Sequence, residues 1–452
     1  MRNNFCSLCF CCLFSLLAFA QQTPVSSQYS FTLDEAIEFA LENNYQSINA
    51  RRDVAKALKR KWEATATGLP QIDAAIAYQN QLKQPVTLIP GEFSGGTPGT
   101  FVPVVFGTKE QASATATLSQ LLFDGSYLVG LEAAKSFLQF NNDSEEKTKL
   151  EVRKTVINAY GSVLVAQENV SIQQSNKAAL EKNYQEAKKT FEAGLNEEEN
   201  VEQLQITLLQ TTNQLNNAIR QQKIASQMLN LAIGIDVNSS TTLSDDLDSL
   251  TMKNLDSSMA NKPFTIENNV DYRLGYLLTE QRRLELKLEK SKALPTLSAF
   301  VNYGTQANSD SFSFLENDQL WFQSSILGVN LNIPIFSSLG RSAKTKQARI
   351  AFEQANTTFI ETQQQIQLQY NTAINDYQFS IETYETSKQN LALAERIEKK
   401  NQVKFTEGLA SSLELRQAQL QLYGVQQETL QAMLNIITKK AELETILNTP
   451  NN

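Results

Sequence analysis

The feature that most constrains this chain is that it is written twice. Around Pro70 it reads Gly68-Leu69-Pro70-Gln71-Ile72-Asp73-Ala74 and goes on to Tyr78 and Gln81. Around Pro295 it reads Ala293-Leu294-Pro295-Thr296-Leu297-Ser298-Ala299 and goes on to Tyr303 and Gln306, at one constant offset throughout. Farther along, Leu122-Phe123-Asp124-Gly125 is answered by Ile335-Phe336-Ser337-Ser338. Phe191-Glu192-Ala193-Gly194-Leu195 is answered by Phe405-Thr406-Glu407-Gly408-Leu409, at a slightly shorter offset. Whatever one copy folds into, the chain holds two of them.

Each copy contains a rod. Tyr127 to Ala193 has no proline and only two glycines, Gly130 and Gly161, and Arg341 to Glu407 matches it. At ~1.5 Å per residue, either stretch makes a continuous helix roughly 100 Å long. Val156, Ala159, Val163, Ala166, Val170, Gln173, Lys177, Leu180, Tyr184, Ala187 and Phe191 step by three and four, which is a heptad seam. Return helices follow, with Val201, Leu204, Leu208 and Thr211 matching Leu415, Ala418, Leu422 and Val425. Two antiparallel hairpins are expected, over 127–233 and 341–447, with their tips at Gly194 and Gly408.

Ahead of each rod the period changes from helical to two. Ile72, Ala74, Ile76 and Tyr78 alternate with Asp73, Ala75, Ala77 and Gln79; Leu327, Val329, Leu331 and Ile333 alternate with Gly328, Asn330 and Asn332. Strands are expected at about 70–82, 109–124, 295–304 and 321–336. Small residues and amides on the polar face suit a wet lumen, and an apolar opposite face suits lipid. Residues 83–108 and 304–320 read as loops. Tyr78, Tyr303 and Trp321 stand near the strand ends, where an aromatic girdle would lie.

The remaining organisation follows from composition. Residues 1–20 read as an export leader, with Arg2, an apolar run and Ala18-Phe19-Ala20 before Gln21. All four cysteines (Cys6, Cys9, Cys11, Cys12) fall inside it. Residues 21–235 form the first repeat, 236–265 an acidic linker and 266–449 the second repeat. No later apolar run is long enough for a membrane helix, so a membrane crossing would have to use strands. Histidine is absent, which removes the commonest general base and transition-metal ligand. Asp245, Asp246 and Asp248 lack the glycine and closing glutamate of a calcium loop. No catalytic residue, cofactor or metal site is expected. With 40 basic and 48 acidic residues, the chain would repel nucleic acid.

With the early Thr32-Leu33-Asp34-Glu35-Ala36-Ile37 helix start, the Leu-Pro-led strands, Phe123-Asp124-Gly125 before a rod and the Phe-x-x-Gly-Leu tips, the chain resembles the TolC-like outer-membrane efflux family. The resemblance covers essentially all of it after the leader. It implies a mostly helical α+β fold in a homotrimer. Each protomer gives four strands to a shared twelve-stranded barrel, and helical hairpins to a periplasmic α-barrel. It implies an exit duct in the outer membrane of a Gram-negative bacterium with a long periplasmic extension. Its expected partners are outer-membrane lipid, a periplasmic adaptor and an inner-membrane transporter. A periplasmic adaptor or a structural coiled-coil protein is the rival reading, although an adaptor would carry one hairpin and no transmembrane strand pattern.

On this reading Gly194, Leu195, Gly408, Leu409 and Ser411 are the adaptor-docking tips. Glu414, matched by Asn200 in the first copy, is the candidate for an acidic periplasmic constriction. Ser411-Ser412-Leu413-Glu414 is also a capping box, so Glu414 has a second, purely local role open to it. Where the family places polar lock residues, this chain has Phe405 and Ala410.

Overall fold

The computed structural model describes residues 28–448 apart from 196, 257 and 260–262. The expected leader, with its cysteines, and residue 449 lie outside the described residues. The chain forms two units, one drawn from residues 1–50, 145–269 and 365–452, the other from residues 51–144 and 270–364.

The first unit is built on four long helices: α3 (Gly125–Glu192), which begins in the second unit, α4 (Glu198–Ile233), α7 (Gly340–Thr406), which also begins there, and α8 (Ser412–Leu447). The heptad seam is where burial concentrates. Val156, Val163, Leu180 and Ala187 of α3 are buried, as are Tyr377, Tyr384 and Ala394 of α7. Ile436, Ile437 and Leu443 of α8 join Val156 and Tyr377 in one core with Leu229 and Ile233 of α4. Each such side chain contributes about 1.5–3 kcal/mol by leaving water. The short helix α1 (Leu33–Asn43) starts at the anticipated capping box, with Glu35 N donating to Thr32 Oγ1 at 3.3 Å and Thr32 N to Glu35 Oε2 at 2.8 Å. Its buried Ala36, Ile37 and Ala40 enter the same core.

The acidic linker is more ordered than its composition suggests. Strand β6 (Ser240–Leu243) pairs in parallel with β1 (Gln28–Phe31), and helix α5 (Leu247–Asn254) follows, N-capped by Asp246. Two buried tyrosines pin it down. The Tyr160 hydroxyl lies 2.9 Å from Asp245 Oδ2 and 3.0 Å from the Phe31 carbonyl. Tyr377 donates to the Asn254 carbonyl at 2.6 Å. Burial is the main reason both hydroxyls ionise above the ordinary tyrosine range, so they remain neutral donors. Asp245 also accepts from Leu33 N at 2.8 Å, so this carboxylate serves the fold rather than a cation.

The second unit holds α2 (Tyr45–Ala66, apart from its first turns) and α6 (Val270–Ser291), with the opening stretches of α3 and α7. It also holds one antiparallel sheet in the order β2-β5-β7-β8: β2 (Gln71–Asn80), β5 (Glu110–Asp124), β7 (Thr296–Ser309) and β8 (Phe322–Asn332). Three departures from the sequence expectation have physical causes. Strand β7 runs on to Ser309, beyond the point where its alternation fades, because its backbone continues to pair with β5 up to Glu110. Strand β8 stops at Asn332, short of Pro334, which has no N–H to give a ladder. The stretch 83–108 is not a plain loop: Val86–Pro90 (β3) and Phe101–Val105 (β4) form a hairpin of their own.

Candidate functional site

The sheet is the first functional surface, and its register sorts its residues onto two unlike faces. Ile72, Leu118, Val301 and Leu327 lie directly opposite one another across all four strands. On the same face, Gln120 pairs with Ala299 and Ala299 with Val329, then Phe123 with Leu297 and Leu297 with Leu331. The other face carries Asp73, Thr117, Asn302 and Ile326 in one row and Ala75, Thr115, Gly304 and Ser324 in the next, polar or small but for Ile326. Asn302 Nδ2 donates to Thr117 Oγ1 at 2.7 Å, tying adjacent strands on that polar side. At the outer end of the apolar face, Phe314 of the β7–β8 loop packs with Ala112 and Ala307. Ile76 (88%) and Leu327 (76%) are exposed on the apolar side. In water that would be a large aggregation-prone patch; in a bilayer it is the surface required.

The second surface is the pair of hairpin tips. At the first, Gly194 has φ +72°, Gly194 N donates to the Phe191 carbonyl at 2.8 Å and Leu195 N to the Thr190 carbonyl at 2.9 Å. At the second, Gly408 has φ +70°, Gly408 N donates to the Phe405 carbonyl at 3.0 Å and Leu409 N to the Lys404 carbonyl at 2.7 Å. Both are Schellman stops, which need a left-handed residue at the glycine position. Leu195 and Leu409, the residues that follow, stand 82% and 78% exposed. A cavity of about 590 Å³ lies between the tips, lined in part by Leu195, Asn200, Gly408, Ser411 and Ser412.

Sequence comparison decides what the duplicated sheet and hairpins belong to. The family model for outer membrane efflux proteins matches residues 36–235 and again 266–449. The chain belongs to the outer membrane efflux protein family. This efflux protein is 22% identical over 438 residues to outer membrane protein TolC of Vibrio cholerae serotype O1, covering 94% of this chain and 93% of that one. Its fold is similar to that of CusC, whose crystal structures concern folding and transmembrane channel formation (TM-score 0.72, 17% identity, 92% of each chain). It is also similar to the outer membrane protein VceC of Vibrio cholerae (TM-score 0.71, 15% identity, 92% of this chain and 95% of that one). The efflux protein is therefore a Gram-negative outer-membrane channel, not an enzyme, which sets aside the adaptor and coiled-coil readings. Membership implies a trimeric channel of a tripartite efflux system.

Within the efflux protein, Glu414 closes the capping box that its spacing suggests. Ser411 N donates to Glu414 Oε2 at 2.8 Å, and Glu414 N donates to Ser411 Oγ at 3.3 Å. The Ser411 backbone N–H is the chief reason the Glu414 carboxyl titrates below its ordinary range. This cap is therefore complete above the usual carboxylate pKa and is lost as pH falls through the lowered one. Asn200 accepts from Ser412 Oγ at 2.5 Å, which joins the start of α4 to the start of α8.

That contact is the last rung of a ladder missed when only apolar slots were counted. Asn183 and Gln402 exchange two hydrogen bonds, at 2.8 and 2.9 Å. Asn176 donates to Gln426 at 3.0 Å, and Gln427 donates to Asn169 at 2.7 Å. The signal was present: Asn169, Asn176 and Asn183 recur at the heptad interval. They place a neutral amide row where the first hairpin meets the second.

The three aromatic candidates separate. Tyr78 meets Phe312 and Phe314 edge-on at 5.6 and 5.9 Å, and Phe314 meets Trp321 at 6.5 Å. Tyr303 shares the apolar face but sits opposite Ala116 and Ser325, below that cluster.

Proposed function

We propose that three copies of this chain close one twelve-stranded barrel, with the paired hairpin tips forming the periplasmic end that meets an adaptor linked to an inner-membrane transporter. The observation that carries the reading is the two-faced sheet with β2 and β8 as unpaired edges. Backbone groups left open in lipid cost several kcal/mol each, so four strands cannot stand alone there. All neighbours in the sheet are antiparallel, and β8 of one copy would meet β2 of the next in the same sense. Closure then needs no strand reversed. Three copies of four strands give a lumen wider than that of side-chain-filled eight-stranded barrels. Extraction from outer membranes should require detergent, and the protein–detergent particle should contain three chains. A single-chain particle, or release without detergent, would overturn the reading.

In this arrangement Tyr78 and Trp321, with Tyr303 below them, belong to the outer aromatic girdle. Exposed Leu195 and Leu409, with Ser411 beside the cavity, are the docking surface. Glu414 from three copies makes an acidic ring, with Asn200 as its uncharged counterpart. Glu414→Gln separates the two roles, because glutamine still completes a capping box but carries no charge. Cation preference in planar-bilayer recordings should fall in this variant while the trimer melts as before. Unchanged selectivity would leave Glu414 as a cap alone.

A further inference from the structure

The stretch from Gln81 to Lys109 is a poor match for an outward loop. It holds only three charged side chains, Lys83, Glu92 and Lys109. Its β3–β4 register places Val86 opposite Val105, Leu88 opposite Pro103 and Pro90 opposite Phe101. Alternation sets these pairs on one face of the hairpin. That face is bare: Val86 is 57% exposed, Leu88 61%, Phe101 65% and Val105 47%. A lone two-stranded hairpin is marginally stable in water at best, so an uncovered apolar face calls for a partner.

We propose that this face is a clasp, closing on the β7–β8 loop of the adjacent copy of the chain. The proposal rests on the barrel closure argued above. Strand β2 ends outward at Asn80, and β8 begins outward at Phe322. These are the two free edges, so joining β2 of one copy to β8 of the next brings the loop after β2 beside the neighbour's loop before β8. Within one chain, β5 and β7 stand between strands β2 and β8. The base of the β7–β8 loop touches its own chain, through Phe312 and Phe314 against Tyr78 and through Asp310 Oδ1 accepting from Lys109 N at 3.1 Å, and its tip is left for the neighbour. The clasp is thus continuous with the seam between copies.

The chemistry of the neighbouring loop fits. Leu315 is 87% exposed and Leu320 70%, an apolar tip beyond Phe312, which rests against Tyr78 and Phe314 of its own chain. Residues 310–321 carry Asp310, Glu316 and Asp318 and no basic residue, whereas the hairpin segment has two lysines and one glutamate. The opposed net charges favour docking these loops over docking two identical hairpins. An anionic lipid headgroup layer would be a poorer partner for an apolar face with a single net positive charge.

Residues 13–452 contain no cysteine, so once the leader with its four cysteines is removed, introduced pairs are free of background. In the full chain in outer membranes, Leu88→Cys combined with Leu315→Cys, treated with a short bismaleimide, should give a covalent ladder ending at three chains on denaturing gels. Leu88→Cys alone should give none. Adding Phe101→Asp to the pair should abolish the ladder while the detergent particle still contains three chains. A three-chain particle whose paired cysteines link only within one chain, or not at all, overturns the clasp and leaves the barrel reading standing. Ladders from Leu88→Cys alone would also overturn it, because the hairpins would then meet each other. A particle of fewer than three chains removes both readings together.

Discussion

Val301→Arg should abolish accumulation of the channel in the outer membrane, while Ser324→Arg should leave its level nearly unchanged. Val301 lies near the middle of β7, in the row that runs Ile72, Leu118, Val301, Leu327 across the sheet. An arginine on the lipid face near the bilayer midplane costs ~2–4 kcal/mol. Three copies in one barrel raise that to roughly 6–12 kcal/mol, comparable to the ~5–15 kcal/mol that holds a whole domain folded. Ser324 occupies the opposite face, beside Gly304 and Thr115, where a charge remains in water. Fractionation, with heat-modified mobility of the assembled barrel on gels, reads both outcomes. Loss of the Ser324 variant with the Val301 variant kept would mean that the faces are wrongly assigned, and normal levels of both would mean that neither face meets lipid. Loss of both would mean that the sheet tolerates arginine on neither side.

The two faces were legible in the sequence because one residue type decides each position: alternation alone sends Ile72 to one side and Asp73 to the other. The rods were legible for a similar reason, since a stretch as long as Tyr127 to Ala193 without proline and with one heptad seam admits few alternatives. What was not legible depended on partners remote in the chain. The β1–β6 pairing joins Gln28 to Ser240 through short strands that carry no periodic signal. The β3–β4 hairpin was hidden by Pro90, Pro103 and the Gly95-Gly96-Thr97-Pro98-Gly99 turn, which read locally as loop although the strands between are apolar. The amide ladder escaped because asparagine on a helix normally signals solvent. Asn183 is buried, and what makes that tolerable is Gln402, far away in the chain on the other hairpin.

Gly408→Val should cost most of the export activity while the trimer still assembles, and Gly408→Asn should keep most of it. At φ +70° a residue with a Cβ is strained by ~1–2 kcal/mol, and β-branching stiffens valine further. Nothing lies within 4 Å of where a Cβ would point, so the variant loses no packing and the barrel has no reason to come apart. The strain is relieved only by unwinding the stop. That releases the bonds from Gly408 N to the Phe405 carbonyl and from Leu409 N to the Lys404 carbonyl, and displaces the exposed Leu409 at the tip. A penalty of this size depletes the native tip about tenfold in each copy, and an adaptor that engages all three tips would feel the product. Asparagine tolerates the left-handed region and should hold the stop. Efflux of a compound that leaves cells through the parent channel, normalised to trimer in the outer membrane, makes the comparison. If the valine variant exports as well as the parent at equal trimer levels, the tip geometry does not serve docking.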